Sequence, residues 1–324
     1  MNLVERIWYQ GHKAYWLLLP LAWLYGVITA LRRVLFRFGV KQQVKVKAPV
    51  IVVGNISIGG TGKTPFTLLL CQMLRNQGWT PGIVSRGYGA KINAPVLVQT
   101  NAAAKEVGDE PLLLAQRSGC PVVVCPDRVA AAEYLLANTM ADIVVSDDGL
   151  QHYRLARDVE IILIDGSRGL GNGQFLPAGP LREGVWRLNQ ADLVVANSQP
   201  YAQADGTMQL QAATAKALNS DATLTPGPVT LVAGIGNPQR FERTARAAGF
   251  IPTAQHYFAD HHTFSLADFA DIHGPILMTE KDAVKCRAFA RPDWYSLGID
   301  AVLDTPLQQK LDTLLTNLRS SYGT

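Results

Sequence analysis

The sequence predicts an α/β protein: a doubly wound, mostly parallel sheet around a P-loop, a second, smaller α/β domain, and an N-terminal hydrophobic membrane-anchoring helix. Three observations predict it. The β-branched run Val50-Ile51-Val52-Val53 leads into a glycine-rich turn, then Lys63-Thr64, then helical apolar spacing from Phe66 to Gln77. Beyond it, short runs apolar on both faces alternate with helical stretches, as in parallel sheets covered by helices. Ahead of it, no residue from Ala14 to Leu31 carries a formal charge. The chain divides into a membrane-associated segment (1–44), a P-loop core (45–225) and a smaller domain (226–324) whose last helix is free to pack back on the core.

Taken in order, the N-terminal segment comes first. One helix from Ala14 to Leu31 would reach about 27 Å, slightly short of a ~30 Å hydrocarbon core, and Pro20 interrupts it. Arg32, Arg33, Arg37, Lys41, Lys45 and Lys47 follow, a basic cluster suited to an anionic cytoplasmic leaflet. Trp8, Tyr9, Trp16, Trp23 and Tyr25 have rings that settle at headgroup depth. No small-residue cleavage site follows, so the reading is a retained anchor, interfacial or shallowly inserted, rather than a signal peptide. A buried helix of a soluble protein is the alternative.

The loop after Val53 has the context a phosphate site requires. Glycines let backbone N–H groups converge on an anion, and the helix that follows adds its N-terminal donors and dipole. The chain departs from the pattern G-x-x-x-x-G-K-[ST] at its first position, where Ser57 stands, and follows it through Ile58, Gly59, Gly60, Thr61, Gly62, Lys63 and Thr64. Lys63 is placed to reach the β- and γ-phosphates of a nucleotide, and the Thr64 hydroxyl to ligate Mg²⁺. The net charge of +4 is too small to argue for nucleic acid. The four cysteines form no C-x-x-C pair, which disfavours zinc and disulfides.

Strands follow at 82–85, 95–99, 121–125, 142–146, 159–164 and 193–196, with helices at 109–117 and 128–137 between them. Ligands of such sheets bind beyond the strands' carboxyl ends. Arg86, Asp127, Arg128, Asp147, Asp148, Asp165 and Asn197 collect there. The apolar strand ending in Asp147-Asp148 supplies the carboxylate that a P-loop enzyme needs for its metal. Which of the two aspartates meets the metal first stays open.

The ordered set Gly59-Gly60-Thr61-Gly62-Lys63-Thr64-Pro65, Ser85-Arg86-Gly87-Tyr88-Gly89, Gly108-Asp109-Glu110-Pro111, Asp147-Asp148-Gly149-Leu150-Gln151-His152, Pro180-Leu181-Arg182-Glu183 and Thr279-Glu280-Lys281-Asp282 strongly resembles the tetraacyldisaccharide 4′-kinase family. These are membrane-associated P-loop kinases of lipid A biosynthesis. The resemblance implies ATP- and Mg²⁺-dependent transfer of the γ-phosphate to the 4′-hydroxyl of a tetraacylated glucosamine disaccharide 1-phosphate. It also implies a monotopic or peripheral enzyme at the cytoplasmic face of the inner membrane, with no nucleic acid and no obligate protein partner.

A sugar hydroxyl needs a base as it attacks, and Asp109 is the candidate, although a carboxylate opening a helix also serves as a cap. The family position pairs it with His261; adjacent His262 competes, since neighbours in an extended segment face opposite ways. Glu183 is a candidate second metal contact and Arg182 a phosphate partner. Arg86, Gln151 and His152 are candidates to orient nucleotide or acceptor. The smaller domain is expected to hold strands at 229–233, 253–258, 276–279 and 294–297 and helices at 238–248, 266–271 and 306–318. A rival reading is a membrane-associated ATPase or GTPase acting as a nucleotide switch. No Asn-Lys-x-Asp loop supports guanine recognition.

Overall fold

A computed structural model describes residues 3–323. The elements run α1 (Leu3–Tyr9), α2 (Tyr15–Arg37), β1 (Val50–Gly54), α3 (Lys63–Asn76), β2 (Pro81–Ser85), β3 (Val96–Leu97), α4 (Ala104–Val107) and α5 (Asp109–Ser118). Next come β4 (Val122–Val124), α6 (Arg128–Asn138), β5 (Ile143–Asp147), β6 (Val159–Asp165), β7 (Leu193–Asn197), β8 (Gly206–Ala212) and β9 (Lys216–Ala217). The chain ends with β10 (Pro228–Ala233), α7 (Pro238–Ala247), β11 (Ile251–Tyr257), β12 (Ile276–Thr279), α8 (Glu280–Cys286), β13 (Trp294–Leu297), β14 (Ile299–Leu303) and α9 (Thr305–Tyr322).

Along β1, successive side chains point to opposite faces, and each face has its own core. Ile51 and Val53 pack with Phe66, Leu70 and Leu112 on one side, closed by Leu311 and Leu315 of α9. Val50 and Val52 pack with Val129, Leu135 and Leu150 on the other. The resulting sheet has nine strands in the order β14-β8-β7-β6-β1-β5-β2-β4-β3. It is parallel except at its edges, where β14 and β3 pair antiparallel to their neighbours. Register sets Val53 beside Asp147 and Asp165 beside Asn197, so the P-loop and the acidic strand ends open on one rim. Leu70 is fully buried. Leu70→Ala is expected to destabilise the fold by about 2–5 kcal/mol, read from denaturant unfolding, because a core cavity adds to the lost transfer energy.

A second sheet of five strands, β11-β10-β12-β13-β9, is parallel except for β9. Its core centres on Trp294, whose ring lies 4.1 Å from that of Phe269 at a 34° tilt. The chain passes from the first sheet to the second between Ala212 and Lys216, and it returns between Leu297 and Ile299. Two strands of the first sheet were not apparent in the sequence: β8 alternates polar with apolar residues, β14 is five residues long with Asp300 at its second position, and they pair with each other and, for β8, with β7. The expected strand at 95–99 shrinks to the two-residue edge strand β3. The expected helix at 266–271 is a short 3₁₀ turn, Leu266–Phe269, closed by a Ser265–Asp268 capping box.

The N-terminal helix also departs from expectation. It runs unbroken through Pro20 to Arg37, about 34 Å at 1.5 Å per residue, so the first basic residues lie inside its last turns. Among its described side chains only Ala22 is buried. Leu17 is 83% exposed, and Trp16, Leu21, Trp23, Leu24, Val27 and Ile28 are exposed beside it. The helix is long and apolar enough to cross a membrane.

Candidate active site

The P-loop is shaped from both sides. Asn197, at the end of β7, donates from Nδ2 to Thr61 O at 3.0 Å. Segment 180–182 braces the first half: Ile58 N donates to Pro180 O at 2.8 Å and Arg182 N to Ile56 O at 2.7 Å. Ser57 is buried and bridged to Leu181, so its place at the head of the motif is filled by a residue whose backbone is already paired. Gly62 precedes α3 with φ of 89°, and a Cβ there would meet Asn197 Nδ2 at 2.7 Å. Around Gly59 and Gly60 a Cβ would meet nothing within 4 Å. That open concavity before a helix N-terminus is what an anion needs.

A cleft of about 480 Å³ lies in front of this loop. Lys63, Arg86, Asp109, Asp147, Asp148, Gln151, His152, Arg182 and His261 all line it, together with Ser85, Tyr88, Glu110 and Pro111. The two aspartates at the end of β5 behave differently. Asp147 is fully enclosed; burial pushes its carboxyl up to about 7, and the nearby Glu110 and Asp148 charges add to this against Lys63 and Arg128. Its Oδ2 lies 3.3 Å from the Ser85 hydroxyl, which donates to it, and its Oδ1 is buried without a hydrogen-bond partner. For Asp148 burial acts in the same upward direction, but Lys63 and Arg182 outweigh it and hold the carboxyl below its ordinary range. Lys63 Nζ is 3.5 Å and Arg182 Nη1 3.3 Å from Asp148 Oδ1. Like charges in one site have been driven apart in proton affinity.

Asp109 opens α5 after Gly108 and is nearly buried. Its Oδ2 faces His261 Nδ1 at 3.0 Å, and its Oδ1 accepts the Glu110 N–H. His261 comes from the loop after β11 with a left-handed φ of 60°, and the Tyr88 ring lies 5.6 Å from its own. His262 turns away: it stacks on Phe258 at 4.6 Å, with Nε2 3.4 Å from Asp268 Oδ1. The backbone inversion at His261 therefore separates two histidines that sequence position alone left in competition.

His152 is held neutral, its pKa lowered to about 4 by burial first and then by Arg128 and Arg86. Gln151 bridges Asn55 O and Glu183 Oε1, at 3.2 and 2.8 Å. Glu183 itself does not line the cleft. Tyr153 OH and Arg187 Nε donate to its Oε2 at 2.6 and 3.0 Å, so in this arrangement it braces Gln151 from behind. Two further side chains escaped sequence reasoning. Arg240 of α7 donates to Gly60 O at 3.4 Å and Ser198 Oγ at 3.2 Å, and Lys285 of α8 lies against Asp109. Both arrive from the second sheet's unit; the motif 279–282 lies just before Lys285 but does not include it, and neither residue's partner is near it in the chain.

The Tetraacyldisaccharide-1-P 4′-kinase family model matches residues 14–316. A tetraacyldisaccharide 4′-kinase of Shewanella baltica (strain OS185) is 49% identical over 319 residues, covering 95% of this chain and 94% of that one. One of Shewanella oneidensis is 47% identical over 323 residues, covering 98% and 96%. Among solved structures, LpxK from Aquifex aeolicus in complex with ATP aligns with a TM-score of 0.77 at 26% identity, over 94% of this chain and 99% of that one. The P-loop, the paired aspartates and the Asp109–His261 contact thus sit in a fold and a sequence of one lineage, and the chain belongs to the tetraacyldisaccharide-1-P 4′-kinase family.

Proposed function

We propose that the protein transfers the γ-phosphate of ATP to the 4′-hydroxyl of a tetraacylated glucosamine disaccharide 1-phosphate, the kinase step of lipid A assembly. One observation carries the reading at the level of residues: a carboxylate–imidazole pair at 3.0 Å opens on the same cleft as the P-loop lysine and the strand-end aspartates. In this reading the amides of 57–64 and Lys63 hold the triphosphate. Asp109, oriented by His261, accepts the proton of the attacking sugar hydroxyl. Arg182 and Arg86 offset charge on phosphate, and Gln151 and His152, a neutral imidazole, orient the reactants.

The donors at the strand end suit Mg²⁺. They are hard oxygens, and the buried, unpartnered Oδ1 of Asp147 is left without a ligand of its own. Among the described residues no three His, Cys, Asp or Glu side chains converge. Mg²⁺ needs no such cage, because phosphates and water complete its shell. Thr64 and Asp147 or Asp148 would hold the ion, which when bound neutralises charge on the transferring phosphate.

Substrate and anchor fit one another. An acylated sugar stays in its bilayer, and the exposed apolar side of α2 would seat the cleft at the cytoplasmic face of the inner membrane. Changing Leu17, Trp23 and Leu24 together to serine is expected to weaken binding to anionic vesicles by at least ~100-fold, since each large apolar side chain contributes about 1.5–3 kcal/mol when buried. Sedimentation with vesicles reads this; unchanged binding means another surface docks. The deciding assay for the activity is ADP release from ATP with and without the lipid disaccharide. The kinase reading requires release that depends on the acceptor, whereas turnover indifferent to it returns the protein to the nucleotide-switch class.

A further inference from the structure

Asp109 has a second basic neighbour that its pairing with His261 leaves unexplained. Lys285 Nζ lies 3.6 Å from Asp109 Oδ2, the oxygen that faces His261 Nδ1. Only 10% of the lysine side chain is exposed. Its ammonium also sits 3.1 Å from Oδ1 of Asp282, a residue with no exposure at all. The other Asp282 oxygen accepts the Gly234 N–H at 3.0 Å and the Thr279 hydroxyl at 2.7 Å. Gly234 O in turn accepts the His261 N–H at 3.2 Å. One buried carboxylate therefore ties down both the lysine and the loop that carries the histidine.

We infer that Lys285, anchored by Asp282, is a positioning residue for phosphoryl transfer: it fixes the rotation of the Asp109 carboxylate beside His261, so that the base keeps one orientation toward the cleft. The inference rests on the reading of Asp109 as the base. Asp282 and Lys285 lie three apart on α8, on one face of a helix, so the pair is assembled locally before it meets Asp109. Thr279 caps that helix through the Asp282 N–H, which fixes where its first turn points.

Docking of the two units does not depend on this lysine. Arg117 reaches Glu280 at 2.5 Å, and Lys281 pairs with Glu110, both at more exposed positions. Lys285 is the buried member of this interface and touches the carboxylate that lines the cleft. A purely cohesive role would need none of that placement.

The test compares K285M, D109N and the double variant D109N/K285M in the intact protein, with ATP and the lipid acceptor. Displacing a reacting group by a fraction of an ångström is costly, so K285M is expected to lower kcat by ~10–100-fold. Its KM for ATP should stay within about twofold, and the double variant should be no slower than D109N. K285M at wild-type kcat beside an impaired D109N overturns the role of Lys285 and leaves Asp109 standing. D109N at wild-type kcat overturns both. A raised KM with unchanged kcat, or a fully multiplicative loss in the double variant, also overturns it. Where K285M lacks a cooperative thermal transition, K285R decides: kcat within about tenfold of wild type supports the inference, and kcat as low as that of D109N sinks it.

Discussion

Lys63→Ala is expected to lower kcat/KM for ATP by about 10²–10³-fold, the usual cost of removing one preorganised contact to charge that develops in the transition state. Lys63 is the first residue of α3, and alanine is a good helix former there, so the thermal transition should hardly move. The loss has two sources. The ammonium no longer meets the transferring phosphate, and Asp148 keeps only Arg182 as a partner in a cleft that already holds Asp147 and Glu110. Lys63→Arg should not restore activity, because a planar fork replaces a point charge in a space where only 15% of the lysine side chain is exposed. Calorimetric titration with ATP and steady-state kinetics check the two halves separately. Wild-type turnover in Lys63→Ala would mean that the loop binds its anion with backbone amides alone.

That the loop was legible in the sequence follows from local physics. A β-branched strand, glycines that lack a Cβ and a lysine at a helix start all fall within fifteen residues, and neighbours fix one another's geometry. The strands buried on both faces were legible for the same reason. What stayed hidden depends on distant pairing. β8 carries Thr207, Gln209 and Gln211 on alternate positions and β14 is only five residues long; they become strands through pairing with each other and, for β8, with β7. Glu183 read as a metal contact from its neighbours in the chain, whereas Tyr153 and Arg187, which engage it, gain their relation to it only through folding. Arg240 and Lys285 belong to an interface between two units; the motif 279–282 ends three residues before Lys285, but nothing local to either residue names its partner, which lies far away in the chain.

Asp109→Asn is expected to lower kcat by about 10²–10⁴-fold with little change in ATP affinity, since a positioned base acts in the transition state and not on the bound nucleotide. His261→Ala should fall in the same range, because the imidazole holds one oxygen of the acid at 3.0 Å. If the two act as a unit, the double variant loses scarcely more than the worse single one; independent contributions would multiply instead. The structure argues for a unit. His261 adopts a left-handed backbone, an uncommon conformation for a non-glycine residue, and its N–H is held jointly by Gly234 O and Asp260 Oδ1. A loop set in that way delivers the imidazole to Asp109 from the other sheet's unit, whereas adjacent His262 is spent on aromatic packing with Phe258 and Phe264. His262→Ala is therefore the control: it should loosen the second unit, visible as a lower thermal transition, while a kcat loss as deep as that of His261→Ala would mean that the loop, and not the Asp109–His261 contact, is what catalysis requires.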